Sequence, residues 1–217
     1  MASARPAGGA RARGGAALRR ATRALSPLTK PPDDLSGFPP HVVGRRELFH
    51  RIHRAERSPW WFSDDGSGRF DLSGDGRGTC YLAATAVGAF IEVFRTGTVI
   101  PEAEVDVRLL TTLSVPKRAT LADCTTTKAR RFGITGAIHT QPNYTLTRDW
   151  AAAFAEAGFD GVRYRLSHDP AQRQLGVALF GPAGEQDFSV RATGAIGAEV
   201  IEEARRRFGL IVAPTPV

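Results

Sequence analysis

The sequence predicts a single α+β domain preceded by a basic tail. A chain of 217 residues with 42% hydrophobic residues can bury one core but is short for two domains of ordinary size. Strand-like and helix-like segments mix along the chain without a regular βαβ rhythm, which favours α+β over a doubly wound sheet. Residues 1–40 carry few large apolar side chains. We therefore expect a disordered tail over 1–40 and a folded domain over 41–217.

The net charge of +7 is concentrated in that tail. Residues 1–40 contain seven basic and two acidic residues, which leaves only +2 for the remainder of the chain. A body so nearly balanced lacks the basicity expected of a dedicated nucleic-acid-binding domain, so direct nucleic-acid binding is not expected of it. The tail segment 16–25 could form a short basic helix on a partner, or could simply be solvated.

The first half of the body alternates strands with loops. Residues 47–54 predict a strand with Leu48, His50 and Ile52 on one face and Phe49, Arg51 and His53 on the other. A glycine-rich loop follows, and residues 79–83 predict a second strand. Thr85 is a suitable N-cap for a helix over 86–95 whose apolar residues recur at helical spacing.

The second half of the body has less regular sequence patterns. Strands are predicted at 104–110 and 112–116, whereas 117–146 shows no readable periodicity. A helix is predicted over 147–157, ended by Gly158. The remaining predicted elements are strands over 160–166 and 173–180, joined by a turn at 167–170, and an amphipathic helix over 195–208.

Three charged residues stand out as candidates for chemistry. Arg69 lies between Gly68 and Phe70 in the glycine-rich segment 66–78. Its guanidinium would suit a phosphate if this segment approaches a ligand, but the segment could also be a surface hairpin. Glu92 interrupts an apolar helical stretch and either points to water or lines a cleft, where desolvation would shift its pKa. Arg51, inside a strand, needs a partner or a ligand.

Metal and disulfide chemistry are not expected. His50 and His53 have a short spacing, but in a strand they point to opposite faces, so no metal site is predicted. The two cysteines, Cys80 and Cys124, form no C-x-x-C pair, which fits a reducing cytoplasm. No apolar run is long enough to span a membrane. We therefore expect a cytoplasmic protein.

The sequence resembles the RES-domain family, which takes its name from an arginine, a glutamate and a serine. The matching segments are LFHRIHR (48–54), GSGRFDLSGDGRGTCYLA (66–83), AVGAFIEVF (86–94) and, less closely, GFDGVRYRLSHDP (158–170) with GVALF (176–180). By this resemblance Arg69, Glu92 and Ser167 are the three family residues, and Arg51 and Tyr81 are further pocket residues. Asp71 stands where many relatives have asparagine, and the basic tail lies outside the family pattern.

The resemblance implies a fold like that of ADP-ribosyltransferases, with mixed sheets flanked by helices, and an activity on NAD+. Characterised relatives are toxins that cleave NAD+, in some cases by phosphorolysis. Their partner is an antitoxin with a helix-turn-helix domain. NAD+ would thus be a substrate, cleaved either by phosphorolysis with inorganic phosphate as co-substrate or by hydrolysis, with no prosthetic group.

The residue types agree with this chemistry, because nicotinamide leaves as a neutral molecule and needs no general acid. Arg69 and Arg51 would bind phosphate, Glu92 would face the developing positive charge, Tyr81 would stack on nicotinamide and Ser167 would orient a phosphate or ribose. Two alternatives stay open: transfer of ADP-ribose to a macromolecule, and a nucleic-acid-binding accessory protein that uses its basic tail.

Overall fold

The computed structural model describes residues 28–95 and 97–214. Within these ranges the strands are β1 (Pro40–Val43), β2 (Phe49–Arg54), β3 (Trp61–Phe62), β4 (Arg77–Ala83), β5 (Val99–Pro101), β6 (Arg108–Leu113), β7 (Ala119–Asp123), β8 (Gly161–Arg165), β9 (Leu175–Pro182), β10 (Gly184–Glu185), β11 (Ala192–Ala195) and β12 (Ile211–Ala213). The α-helices there are α1 (Ala86–Val93), α2 (Glu102–Asp106), α3 (Ala137–Thr140), α4 (Thr145–Glu156) and α5 (Ala198–Phe208). A 3₁₀ helix spans Thr127–Phe132.

One large mixed sheet organises the domain. Its strand order in the described residues is β1-β7-β8-β9-β4-β2-β6-β11. β7 and β8 run parallel, whereas the other neighbouring strands of this sheet run antiparallel. β3 pairs with β10 and β5 pairs with β12 in two small sheets. Since neighbours such as β4 and β9 are distant along the chain, the sheet brings remote segments to one place.

Both faces of the large sheet are buried by apolar side chains. One face packs against helices, with Ile52 of β2 and Phe90 of α1 in the same cluster as Trp150 of α4. The opposite face is covered by a second cluster that includes Phe49 and Trp60. The alternation predicted for 47–54 is confirmed, because successive β2 residues join different clusters. A strand covered on both faces places alternate side chains in different environments, and this matters for the site.

Several predicted elements are confirmed. β2, β4, α1, α4, β8, β9 and α5 lie where the patterns place them, with ends shifted by a few residues. Thr85 is the N-cap of α1 and its side chain accepts a hydrogen bond from the Gly88 amide. The unreadable segment 117–146 contains β7, the 3₁₀ helix and α3, which are short and follow one another closely.

The strand predicted at 104–110 is wrong. Residues Glu102–Asp106 form α2, and β6 begins only at Arg108 and runs to Leu113, so it also replaces the separate strand predicted at 112–116. Pro101 stands at the helix N-cap, and Glu102 and Glu104 lie in the first turn, where the helix dipole favours acidic side chains.

The predicted boundary between tail and domain at residue 40 is also wrong, because the described residues 28–40 pack onto the domain. Leu28, Leu35 and Phe38 are buried in the main core, and the Thr29 carbonyl accepts a hydrogen bond from the Trp150 indole at 2.8 Å. A few well-placed apolar residues are sufficient to fix this segment on α4 despite its prolines. The predicted disorder of the preceding residues concerns 1–27, which lie outside the described part of the chain.

Candidate active site

A cavity of about 410 Å³ opens on the helix-covered side of the large sheet. Its walls come from β2, β4, α1, the glycine-rich loop and the segment that follows β8. A volume of this size is ordinary for a small-molecule site. The cavity brings together Arg69, Tyr81, Glu92 and Ser167, four residues that the sequence predicts as site residues.

Glu92 lies in the wall formed by α1, largely removed from solvent. Its Oε1 atom is buried and has no hydrogen-bond partner among the described residues. Burial raises the pKa of this carboxyl, and the His168 backbone amide together with the nearby Arg95 and Arg69 only partly offset that effect. A buried acceptor without a partner is costly, so native proteins retain such groups mainly where a ligand or a water completes the site.

Arg69 is buried in the lining of the same cavity. Its Nη1 atom donates to the Gln141 carbonyl at 2.8 Å, and its guanidinium lies over the Tyr144 ring, 4.7 Å from the centroid. The Arg69 carbonyl accepts a hydrogen bond from the Thr147 hydroxyl at 2.5 Å. These contacts fix the arginine from both ends while the remaining guanidinium donors stay open to the cavity. The alternative of a free surface hairpin does not apply to this residue.

Tyr81 projects from β4 into the cavity wall. Its hydroxyl donates to Asp71 Oδ1 at 2.7 Å and accepts from the Phe70 amide at 2.8 Å. Burial, and then the neighbouring Asp71 carboxylate, raise the pKa of Tyr81 well above its usual value. The phenol therefore stays neutral and offers mainly its ring to the cavity.

Ser167 lies beside Glu92 at the end of the β8 segment. It lines the cavity, and the next residue, His168, provides the backbone amide that hydrogen-bonds to Glu92. The position predicted from the weaker part of the resemblance thus lies with the other family residues.

Arg51 contributes less to the cavity than expected. It is among the residues that line it, but its Nη1 atom donates to the carbonyls of Pro59 and Trp61 and contacts Cys80 Sγ at 2.7 Å. Arg51 lies opposite Thr111 in the β2–β6 register, on the sheet face that carries Phe49. Strand alternation therefore directs its guanidinium away from Tyr81, where it supports the loop at 59–61, and its role as a cofactor-binding group stays a prediction.

The sequence reading missed several cavity residues. Arg95 lines the cavity just beyond the C-terminal end of α1, and its closeness in sequence to Glu92 could have revealed it. Tyr144 and Tyr164 also line it but come from distant segments that no local pattern joins to the site. Asp71 was noted only as a departure from the family pattern, although it is almost completely buried in the cavity wall.

The described residues contain no group of three or more histidine, cysteine or acidic side chains that could bind a metal ion. In the same ranges no helix has the length and apolar character needed to cross a membrane.

Comparison with solved structures gives a related fold. A chain of the M. tuberculosis MbcT–MbcA toxin–antitoxin complex superposes with a TM-score of 0.59 at 17% identity, over 76% of this chain and 92% of that chain. This likeness concerns the fold, and with the sheet described above it confirms the predicted class: one α+β domain with mixed sheets flanked by helices. No curated protein matches the chain significantly.

Comparison with family sequence patterns is decisive for the family. The pattern described as the RES domain matches residues 48–203, well over half of the chain. That range contains the cavity-lining segments and the arginine, glutamate and serine gathered there. The chain therefore belongs to the RES-domain family.

Proposed function

We propose that this protein cleaves the nicotinamide–ribose bond of NAD+ and that it is the toxin of a toxin–antitoxin pair. The observation that carries the proposal is the Glu92 carboxylate, buried at the cavity wall with one oxygen lacking a partner among the described residues. The solved relative is named a toxin–antitoxin complex, which supports the biological role.

The charges around the cavity suit a substrate with separated charges. The lining carries charges of both signs, positive from Arg69 and Arg95 and negative from Glu92. NAD+ has an anionic diphosphate and a cationic nicotinamide ring, so the arginines would bind the diphosphate and Glu92 would lie near the ribose. The Tyr81 ring could then stack on the nicotinamide, a contact worth up to about 2 kcal/mol when desolvated.

The reaction needs little proton transfer. As the bond between the ribose anomeric carbon and the nicotinamide nitrogen breaks, both electrons leave with the nitrogen and nicotinamide becomes neutral. Positive charge develops on the ribose, where a preorganised carboxylate stabilises it in a low-dielectric site. An oxygen of phosphate or of water then bonds to the same carbon, and water loses a proton in that step. Ser167 would orient the incoming phosphate or a ribose hydroxyl.

The direct test is incubation of purified protein with NAD+, with and without inorganic phosphate, followed by mass spectrometry. ADP-ribose alone indicates hydrolysis, and ADP-ribose 1″-phosphate that requires phosphate indicates phosphorolysis. Label that moves from NAD+ to a protein or nucleic acid would instead indicate macromolecular transfer. No turnover under any of these conditions would overturn the proposal.

The toxin role has a separate test. Induced expression in bacteria should deplete cellular NAD+ and stop growth, whereas Glu92→Gln should do neither. Co-expression of an antitoxin with a helix-turn-helix domain should restore growth, and this antitoxin should co-purify with the wild-type protein. Unimpaired growth with intact NAD+ would contradict this role.

A further inference from the structure

The Arg69 segment is attached to β4 by side-chain hydrogen bonds: Thr79 binds the Phe70 carbonyl and the Leu72 amide, and the pair Asp71 and Tyr81 binds the backbone on either side of Arg69. The Gly68 amide donates to Asp71 Oδ2 at 2.7 Å, and the Phe70 amide donates to the Tyr81 hydroxyl at 2.8 Å. These two amides bracket Arg69. A Cβ atom at Gly68 would clash with both the Asp71 carboxylate and the Tyr81 hydroxyl, so only glycine permits this close approach.

The direction of the Tyr81 proton follows from the same geometry. Tyr81 donates its proton to Asp71 Oδ1 at 2.7 Å, so it has no proton left for a ligand. Asp71 is 1% exposed and accepts from both Gly68 and Tyr81, one bond for each carboxylate oxygen. Both bonds require two acceptor atoms at residue 71.

An amide in place of this carboxylate cannot make both bonds. If the amide oxygen accepts from Gly68, its NH₂ group meets the Tyr81 hydroxyl and turns the phenol proton toward the cavity. If the oxygen accepts from Tyr81, the NH₂ group faces the Gly68 amide, and two donors oppose each other. The chemical identity of residue 71 therefore decides how Arg69 and Tyr81 are presented.

We propose that Asp71 is a positioning residue that brackets Arg69 and keeps the Tyr81 proton away from the substrate. The proposal rests on the proposed function for its effect on NAD+, but the hydrogen-bond arrangement is independent of it. Tyr81 then serves the substrate through its ring.

A double-mutant cycle with Asp71→Asn and Tyr81→Phe tests the kinetic part. Asp71→Asn should lower kcat/KM for NAD+ by about tenfold alone but by less than about twofold in the Tyr81→Phe background, because directly interacting residues are not additive. Asp64→Asn, at an exposed position before the same segment, is the matched control and should leave kcat/KM unchanged. A tenfold loss that persists in the Tyr81→Phe background would overturn the proposal.

A spectroscopic arm needs no turnover. With ¹³Cζ-labelled tyrosine the protein gives three ring signals, and Tyr81→Phe identifies the one from Tyr81. Asp71→Asn should move that signal and lower the pH at which Tyr81 ionises, while Tyr144 stays unchanged. An unmoved Tyr81 signal would refute the role of Asp71. If the wild type lacks NAD+ turnover but the signal moves, the proposed function fails and the Asp71 arrangement stands.

Discussion

Glu92→Gln should abolish most activity while making the protein more stable at neutral pH. Glutamine keeps the size and one oxygen of the side chain but removes the negative charge. If that charge faces the developing cation on ribose, turnover should fall by roughly 10²–10³-fold, the range for loss of one preorganised electrostatic group.

The stability gain follows from the environment of the carboxyl. Burial is the largest influence on Glu92 and raises its pKa, so the folded state binds the proton more tightly than the unfolded state does. In the wild type the contribution of Glu92 to stability is therefore complete below the ordinary carboxyl pKa, and it is lost as the pH rises through the raised pKa of the folded state. A buried acceptor without a partner costs about 1–3 kcal/mol, and removal of the charge should recover about 1 kcal/mol of this. That corresponds to a rise of about 2–4 °C in Tm at neutral pH.

Two measurements on the same variant decide whether Glu92 is catalytic or structural: NAD+ turnover, and Tm between pH 4 and pH 8. The difference in Tm between variant and wild type should grow as the pH rises. Glu156→Gln, at the exposed end of α4, is the control and should change stability by less than about 0.5 kcal/mol. An active Glu92→Gln protein would refute the catalytic role. An inactive protein with a strongly lowered Tm would show that Glu92 is structural.

Three further predictions follow from the site and the fold. Arg69→Lys should lower kcat/KM at least about tenfold despite the retained charge, since an ammonium cannot form a bidentate phosphate contact, and unchanged kinetics would contradict that role. Deletion of residues 1–27 should leave turnover and Tm intact. Deletion of 1–40 removes three buried apolar side chains and should lower the free energy of unfolding, measured with denaturant, by at least about 4 kcal/mol. Equal stability of the two proteins would refute the revised boundary. Burial lowers the pKa of His139 to about 4, so the contribution of this residue to stability should be complete above pH 6.5 and fall by up to about 3 kcal/mol as the pH drops toward 4. His139→Gln should reduce this loss of stability at low pH, measured by equilibrium unfolding, whereas His41→Gln should not. An unchanged loss of stability in the His139 variant would exclude His139 as its cause.

The residues that the sequence predicts for the site line one cavity, whereas several elements at the edges of the fold were predicted wrongly. Glu92 could be found because a charge inside an apolar helical stretch is a local anomaly, and the resemblance singled out Arg69, Tyr81 and Ser167. The orientation of Arg51 could not be predicted, because strand alternation shows which residues share a face but not which face meets the cavity. That choice depends on which helices and loops cover each side of the sheet, which local patterns do not contain.

The same lack of long-range information explains the secondary-structure elements and the tail boundary that were predicted wrongly. Residues 102–106 alternate like a strand, yet the proline and acidic residues at their start favour the helix that forms. Leu28, Leu35 and Phe38 are too sparse to predict a folded segment, but each finds a place in a core built by residues more than one hundred positions away, such as Trp150 and Phe154. Long-range burial of this kind has no periodic signature.

The strand order of the large sheet has a consequence for protein synthesis. β4, which carries Tyr81, lies between β2 and β9, and the segment that carries Ser167 precedes β9 by only a few residues. A growing chain that ends before Leu175 has the arginine, the glutamate and the serine but lacks the strand that pairs with both β4 and β8. Such late, non-local pairing delays folding until most of the chain has emerged. Activity would thus begin only near the completion of translation, and an inhibitor protein made beforehand could bind the enzyme as soon as it forms.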